Sequence, residues 1–333
     1  MGERKHPDRA EILKTVAAFR PACVIGAAAE LDLFTALANA TPSAEELAEE
    51  LGCDIRGVRT LLDALVALAV VEKRGSRYRL PDALRPVLAG DHPDNVLPGI
   101  WHSMNVLRRW AELARVVRTG GPAERRASVR GADADSAAFI GAMHTGSGPI
   151  AEDLVRRIPD LHFTHLLDVG GASGSWTVAF LRAFPESAAT LFDLPHAVRQ
   201  ARERMAREGL LDRVSFAQGD FYRDELPKGA DFAWVSAIAH QHSREHNRRL
   251  FAKVFRALQR GGRIGIRDMV MDETRTRPVA GALFAINMLV GTETGGTYTF
   301  TEYAEDLQAA GFVGPTLAVA SEDMNSVIVA TKR

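Results

Sequence analysis

From residue 165 onward, short apolar segments alternate with longer amphipathic ones, and this alternation constrains the fold more than any other feature of the chain. The apolar segments have the length of strands, and most segments between them have helical spacing. Strands that alternate with helices form a parallel sheet with helices packed on both faces. The predicted strands cover residues 165–170, 188–193, 213–218, 231–239 and 262–271.

The C-terminal end breaks this alternation. The apolar segments TLAVAS and NSVIVATK follow one another with only a short acidic connection between them. Two strands so close in sequence pair as an antiparallel hairpin, since a parallel crossover needs a dozen or more residues. We therefore predict an α/β domain with a Rossmann-like, doubly wound sheet of seven strands that ends on an antiparallel strand.

The N-terminal part has a different pattern, and a chain of 333 residues is long enough for two domains. Ser43 and Glu46 have the spacing of a capping box, a helical apolar stripe runs over 55–65, and a hairpin is predicted to turn at Gly75. Helix, helix and hairpin is the order of a winged helix-turn-helix. The predicted domains are a mainly helical, winged-helix-like domain at 1–98 and the α/β domain at 99–333, with a helical linker at 99–160.

The charge of the N-terminal part argues against DNA binding. Between residues 10 and 90, Asp and Glu outnumber Lys and Arg by eleven to nine, and the whole chain has a net charge of −1. Phosphate contacts dominate DNA affinity, so we expect neither nucleic acid nor a membrane as partner, and favour packing or dimerisation. The N-terminus lacks the apolar core of a signal peptide, and two cysteines suit a reducing compartment, which predicts the cytoplasm.

The loop DVGGASG (168–174) follows the first strand of the sheet but lacks the spacing of the phosphate-binding loops. Gly170, Gly171 and Gly174 give neither G-x-G-x-x-G nor a glycine followed by Lys, and no basic residue is adjacent in the sequence. Asp168 closes the strand instead, and a carboxylate attracts a cation. S-adenosylmethionine fits, because it carries an ammonium and a sulfonium and no phosphate, and a helix start can bind its carboxylate.

Acidic residues also close the next two strands. Asp193 ends the second strand and can accept hydrogen bonds from both hydroxyls of a ribose. Asp220 follows the third strand and can accept a bond from an adenine amino group, while Phe221 can lie on the ring. Together with the backbone of Gly170 and Gly174, which permit close approach, these residues are predicted to bind the cofactor.

The segments DVGGASG, FDLP, GDF and RGGRIGIRDMVMDE resemble motifs of the class I S-adenosylmethionine-dependent small-molecule O-methyltransferases of the caffeate and acetylserotonin type, including their bacterial secondary-metabolite branch. The resemblance covers nearly the whole chain. It implies a homodimer formed through the N-terminal domain, and methyl transfer to a hydroxyl of a small aromatic or polyketide-like molecule. It also places Leu194 and Ser236 beside the cofactor, although Ser236 replaces a lysine of the family and Ala172 a glycine.

The same resemblance assigns the catalytic residues. His240, at the end of the fourth strand, matches the family's general base, and Asp268 matches one of the two acids that flank it. The other acid aligns with Tyr298, which is then either a pocket wall or a second proton acceptor. Gln241 and His242 stand where the family has Asp-Trp. The histidine-rich segment HQHSREH raises the question of a metal site, but its ligand set would be poorly specified, and we predict no metal.

Two helices are expected to wall the acceptor, as in the resembled family. One precedes the glycine loop and the other follows the fifth strand. The predicted pocket residues are Phe139, Met143, His144, Asn287 and Met288. Fold does not choose the methylated atom, so a C- or N-methyltransferase stays open as an alternative. A non-catalytic regulator that retains the cofactor domain is also open, given the departures around His240.

Overall fold

The computed structural model describes residues 6–90, 92 and 94–333, leaving aside the side chains of residues 139, 140 and 143–149. The chain divides into two compact units. The first comprises residues 1–108 and 125–145, and the second comprises 109–124 and 146–333. Residues 125–145, which the sequence assigns to a linker, thus belong to the first unit.

The first part of the chain is mainly helical and contains one small hairpin. In chain order its elements are α1 (Arg9–Ala17), α2 (Phe19–Glu30), α3 (Leu33–Asn39), α4 (Ala44–Glu50), α5 (Ile55–Ala67), β1 (Glu72–Arg74), β2 (Arg77–Arg79), α6 (Arg85–Leu88), α7 (Leu97–Trp110), α8 (Leu113–Thr119) and α9 (Ala132–Arg157).

The second part alternates strands with helices. Its elements are β3 (His165–Val169), α10 (Ser175–Ala183), β4 (Ala188–Asp193), α11 (Pro195–Arg207), β5 (Val214–Gln218), β6 (Ala230–Ser236), α12 (Arg244–Ala257), β7 (Leu258–Asp268), β8 (Val270–Met271), α13 (Val279–Gly291), β9 (Tyr298–Thr299), α14 (Phe300–Ala309), β10 (Val313–Val319) and β11 (Ser326–Thr331).

Local signals explain the elements of the first unit. The Ser43 hydroxyl accepts a hydrogen bond from the Glu46 N–H at 3.3 Å, and the Glu46 carboxylate accepts one from the Ser43 N–H at 2.7 Å, so the predicted capping box starts α4. β1 and β2 pair around Gly75, whose φ is +61°. The core of this unit includes Phe34, Leu37, Leu47, Leu62, Leu65 and Tyr78.

The N-terminal end of this unit exposes an apolar surface. Residues Arg9–Glu30 form a helical stretch of 22 residues that is long and apolar enough to cross a bilayer by those two criteria alone, and 17% of its most apolar window is buried. Helix α1 buries none of its residues. Ile12, Leu13, Val16 and Phe19 are all more than half exposed, at 51%, 58%, 68% and 52%. A continuous exposed apolar surface of this kind marks an interaction site.

The second unit is built on a seven-stranded sheet in the order β10-β11-β7-β6-β3-β4-β5. Strands β3 to β7 are parallel, and β11 pairs antiparallel with both β7 and β10. The doubly wound sheet with an antiparallel last strand is therefore confirmed. The strand order reverses between β3 and β6, and ligands bind at the carboxyl ends of the strands at such a point.

Both faces of the sheet are buried, which keeps the strand ends in fixed positions. Successive residues of a strand point to opposite faces. On β6, Trp234 packs with Trp176 and Phe180 of α10, whereas Val235 belongs to the core on the opposite face together with Phe251 of α12. Close packing on both sides leaves the loops at the strand ends as the variable part of the unit.

Candidate active site

The glycine loop turns the chain from β3 into α10. Gly170 and Gly174 have φ angles of +68° and +79°, which favour glycine. A Cβ atom at Gly170 would lie 2.5 Å from Cδ1 of Ile238, and one at Gly174 would lie 2.5 Å from Cε of Met205. Ala172 also has a positive φ, +48°, so the residue that replaces a family glycine is strained. The loop therefore needs glycine at these two positions because of its backbone angles, since the tips of the Ile238 and Met205 side chains could move aside.

The sequence predicts that the Asp168 carboxylate attracts a cationic cofactor, but the structure buries this side chain. It is 1% exposed, and Oδ2 accepts a hydrogen bond from the Thr177 hydroxyl at 2.6 Å. The missing side chain of Gly171 makes room for this carboxyl, since a Cβ atom there would lie 2.9 Å from Oδ2. Burial raises the pKa of Asp168 to about 7. Asp168 is thus an internal group beneath the glycine loop rather than an exposed anion.

Asp193 connects the end of β4 to the glycine loop. Its Oδ2 accepts a hydrogen bond from the Ala172 N–H at 2.8 Å, and its Oδ1 accepts one from the Leu194 N–H at 2.6 Å. A carboxylate has about four acceptor positions, so these two bonds leave capacity for the hydroxyls of a ribose. Leu194 is 43% exposed at the point where α11 begins.

The loop after β5 brings Asp220 and Phe221 to the same edge of the sheet. Asp220 Oδ1 accepts a hydrogen bond from the Tyr222 N–H, and Asp224 Oδ2 accepts one from the Asp220 N–H, both at 2.8 Å. A Cβ atom at Gly170 would lie 3.7 Å from Cε1 of Phe221, so the ring stands beside the glycine loop. The structure thus brings together the predicted cofactor residues of three strand ends.

Two arginines beside the first turn of α10 were missed by the sequence reasoning, because they come from other elements. Arg204 donates to the Ser175 hydroxyl at 2.7 Å, and the Arg267 guanidinium lies 4.8 Å from the centre of the Trp176 ring. Arg267 also donates to the Ser236 hydroxyl at 3.2 Å, and burial lowers its pKa to about 10, so it stays charged at neutral pH. With no side-chain cap on α10, this site suits a carboxylate.

His240 and Asp268 form a hydrogen-bonded pair at the carboxyl ends of β6 and β7. His240 Nδ1 lies 2.8 Å from Asp268 Oδ1, and the His240 N–H donates to Oδ2 at 3.2 Å. The two side chains are 8% and 0% exposed. Since a carboxylate accepts, this contact assigns the proton to Nδ1 and leaves Nε2 as the acceptor.

The backbone of His240 is also fixed. Ala237, with φ of +57°, turns the chain after β6. The His240 carbonyl accepts a hydrogen bond from the Gly296 N–H at 2.8 Å. Gly295 packs on the same turn, since a Cβ atom there would lie 2.6 Å from the His240 carbonyl oxygen. The sequence reasoning did not identify this glycine pair, although the doublet in GTETGGTYTF was a visible signal.

Tyr298 lies next to the His240–Asp268 pair, but its hydroxyl forms a hydrogen bond with a different residue. Its hydroxyl donates to the backbone carbonyl of His242. Burial raises the pKa of Tyr298 to about 12, so the phenol is a neutral donor at neutral pH. This geometry favours a pocket wall over a second proton acceptor among its two predicted roles.

Helix α13 contributes an aromatic contact to His240. The Phe284 ring lies edge-on to the His240 ring, with 4.9 Å between centres. Asn287, three residues later, accepts a hydrogen bond from the Trp110 Nε1–H at 3.1 Å, while Met288 is 7% exposed and packs inward. Phe284 was missed, although helical spacing from Asn287 points to it. The side chains of the remaining predicted pocket residues lie outside the described set: Phe139, Met143 and His144.

Within the described ranges, no three His, Cys, Asp or Glu side chains come together as a metal site. The rings of His242 and His246 have centres 6.4 Å apart, and His246 instead contacts the Ser243 hydroxyl at 2.9 Å, at the start of α12.

Comparison with known proteins identifies two matched domains in this chain. Residues 110–313 match the O-methyltransferase domain, and residues 13–83 match the O-methyltransferase dimerisation domain. The chain is 34% identical over 328 residues to the tetracenomycin polyketide synthesis 8-O-methyl transferase TcmO of Streptomyces glaucescens, covering 94% of each chain. It is 29% identical over 312 residues to the N,N-dimethyltransferase OxyT of Streptomyces rimosus, covering 90% of each.

The fold, too, is shared with a solved structure over almost the whole chain. The structure of PigF with SAH superposes with a TM-score of 0.85 at 26% identity and covers 98% of this chain and all of PigF. Fold, motifs and matched domains together define an S-adenosylmethionine-dependent methyltransferase. The chain belongs to the O-methyltransferase family, which confirms the predicted class of enzyme and its cofactor.

Proposed function

We propose that this enzyme methylates a hydroxyl of a small aromatic or polyketide-like molecule, with His240 as general base. The observation that carries the proposal is the buried His240–Asp268 pair at the strand ends next to the glycine loop. The likeness to TcmO supports an oxygen acceptor on a polyketide scaffold.

Bound S-adenosylmethionine supplies a methyl carbon that is already activated by its sulfonium. The protein then has two tasks, which are to hold the acceptor in line with that carbon and to take up the hydroxyl proton. Nε2 of His240 accepts this proton, and the Asp268 carboxylate stabilises the resulting imidazolium through Nδ1–H. Phe284 limits rotation of the imidazole by its edge contact. A base of this kind contributes typically about 10²- to 10⁴-fold to the rate.

The cofactor positions follow from the same edge of the sheet. Asp193 would accept bonds from the ribose hydroxyls, and Asp220 and Phe221 would face the adenine. The backbone of Gly170 and Gly174 and the start of α10 would hold the methionine end, where Arg204 and Arg267 suit a carboxylate. Leu194 and Ser236 remain proposed contacts at the margins.

The acceptor pocket is proposed to include Asn287. Asn287 keeps its amide N–H donors for a polar group of the acceptor, because its bond to Trp110 uses the carbonyl oxygen. Phe139, Met143, His144 and Met288 are retained as pocket residues on the family pattern, and for Met288 its burial favours a supporting position behind the wall.

Ligand-linked stability tests the cofactor assignment. A ligand at 100 times its Kd adds about 2.7 kcal/mol to the free energy of unfolding. The protein is heated with S-adenosylhomocysteine and, separately, with NAD; a stabilisation by NAD alone would refute the proposal. Asp193→Ala should remove most of the stabilisation by S-adenosylhomocysteine, and His240→Gln should retain it while turnover falls about 100-fold or more.

A nitrogen acceptor is the second candidate, because the chain is also similar to the N,N-dimethyltransferase OxyT. An amine that reacts as the free base needs less help from His240 than a hydroxyl does. Turnover of matched hydroxyl and amine acceptors, compared between wild type and His240→Gln, separates the two cases. Near-normal turnover of the amine in the variant would favour nitrogen.

We also propose that the chain forms a cytoplasmic homodimer through the apolar surface of α1. The dimerisation match begins at residue 13, within this helix, and the surface is unusually exposed for an apolar one. The compartment is proposed because two cysteines give no disulfide framework. Val16→Glu should yield monomers in analytical ultracentrifugation, whereas Leu211→Glu, at an exposed apolar residue of the other unit, should not. A dimer that persists in Val16→Glu would contradict this interface.

A further inference from the structure

His242, which stands where the family pattern has tryptophan, contacts two separate segments of the site. The Tyr222 hydroxyl contacts both ring nitrogens of His242; it lies closer to Nε2 than to Nδ1, which is 2.6 Å away, and the two rings have centres 4.8 Å apart at 88°. Its backbone carbonyl accepts a hydrogen bond from the Tyr298 hydroxyl. One residue thus contacts the loop after β5 through its ring and strand β9, directly before α14, through its backbone.

The backbone of the loop after β5 is anchored separately. Lys253 of α12 donates to the carbonyl oxygens of Phe221 and Asp224, each at 2.8 Å. The Phe221 ring is partly buried and also packs against the core on this face of the sheet. The Phe221 ring packs on the Tyr222 ring, with 4.6 Å between centres, and lies 6.3 Å from the His242 ring. The contact between Tyr222 and His242 therefore restrains the orientation of Phe221.

The two partners have the chemistry that a hydrogen bond needs. Burial lowers the pKa of His242 to about 4, so the imidazole is neutral at neutral pH and one ring nitrogen can accept the Tyr222 hydroxyl proton. Tyr222 is 47% exposed, so its hydroxyl is not required for the core of the unit.

We propose that Tyr222 and His242 are a pair of positioning residues that fix the segment 219–222 to the turn carrying His240, and so hold Phe221 in place for the adenine end of the cofactor. This inference rests on the proposed placement of adenine at Asp220 and Phe221. A wall that is ordered before binding does not have to be ordered by the ligand, which improves affinity. Removing one hydrogen bond between neutral groups should weaken cofactor binding about five-fold.

Calorimetric titration with S-adenosylhomocysteine tests the pair on the full-length protein. Tyr222→Phe and His242→Phe keep an aromatic ring and remove one partner each. Each single variant should raise Kd about five-fold, and the double variant should bind no more weakly than either single one, because the bond can be lost only once. His246→Gln is the control; its ring lies 6.4 Å from Tyr222, and its Kd should match wild type. At saturating cofactor, kcat and its pH profile should be unchanged in all four variants.

Two outcomes would overturn the inference: an unchanged Kd in Tyr222→Phe, or losses that multiply to about 25-fold in the double variant, as for independent residues. Thermal unfolding without ligand checks that the variants fold. If His242→Phe does not fold, the Kd of Tyr222→Phe alone tests the inference. Failure of the wild type to bind S-adenosylhomocysteine would instead refute the proposed function, so the two failures are distinct.

Discussion

Replacing Asp168 by asparagine should stabilise the unliganded enzyme above neutral pH. The pKa of this carboxyl rises from 3.8 to about 7 because the side chain is buried, although the hydrogen bond that it accepts from Thr177 lowers the pKa. Burial outweighs that bond. The folded state holds the proton more tightly than the unfolded chain, so the stability of the wild type falls as pH rises from about 4 to 7 and is level above that range. A difference of this size between the folded and unfolded pKa values corresponds to ~4 kcal/mol.

Asparagine removes this effect, because it keeps the shape and the acceptor for Thr177 but does not ionise. Urea unfolding followed by tryptophan fluorescence reports the change, since Trp234 on β6 is the strand partner of Asp168. The stability advantage of Asp168→Asn over wild type should be about 2.5 kcal/mol larger at pH 8 than at pH 5. Glu186→Gln, at an exposed acid, should show no such trend. An advantage independent of pH would mean that Asp168 ionises normally, and would refute the reasoning.

Three further substitutions test the site. Gly295→Ala should lower kcat about 100-fold, because the added methyl group would lie 2.6 Å from the His240 carbonyl oxygen and displace it. Gly296→Ala is the control and should stay active, because its methyl group would meet only the Tyr298 hydroxyl at 4.0 Å. Equal activities of the two variants would contradict this packing. Asp268→Asn should lower kcat about 1,000-fold and leave the Kd of S-adenosylhomocysteine unchanged, and a parallel loss of binding would argue for a structural role. Ala172→Gly should raise stability by about 0.5–1 kcal/mol in thermal unfolding by relieving its positive φ, and a lower midpoint would contradict that.

The sequence alone determined the architecture and the class of cofactor. Period and length separate strands from helices, because a buried strand must be apolar throughout while a surface helix is apolar on one side only. The order of these elements then selects a doubly wound sheet and brings its strand ends to one edge. Asp193, Asp220 and His240 could be named for that reason, since each lies at the end of a predicted strand or within two residues of it.

Only the tertiary structure decided which way these side chains point and what surrounds them. Asp168 ends a strand as Asp193 does, yet one carboxyl is buried against Thr177 and the other reaches the glycine loop. Arg204 enters the site from a helix distant in sequence, so no local spacing could place it there. Burial, charge and hydrogen bonding depend on contacts between segments far apart in the chain, and those contacts exist only once the sheet and its helices have packed.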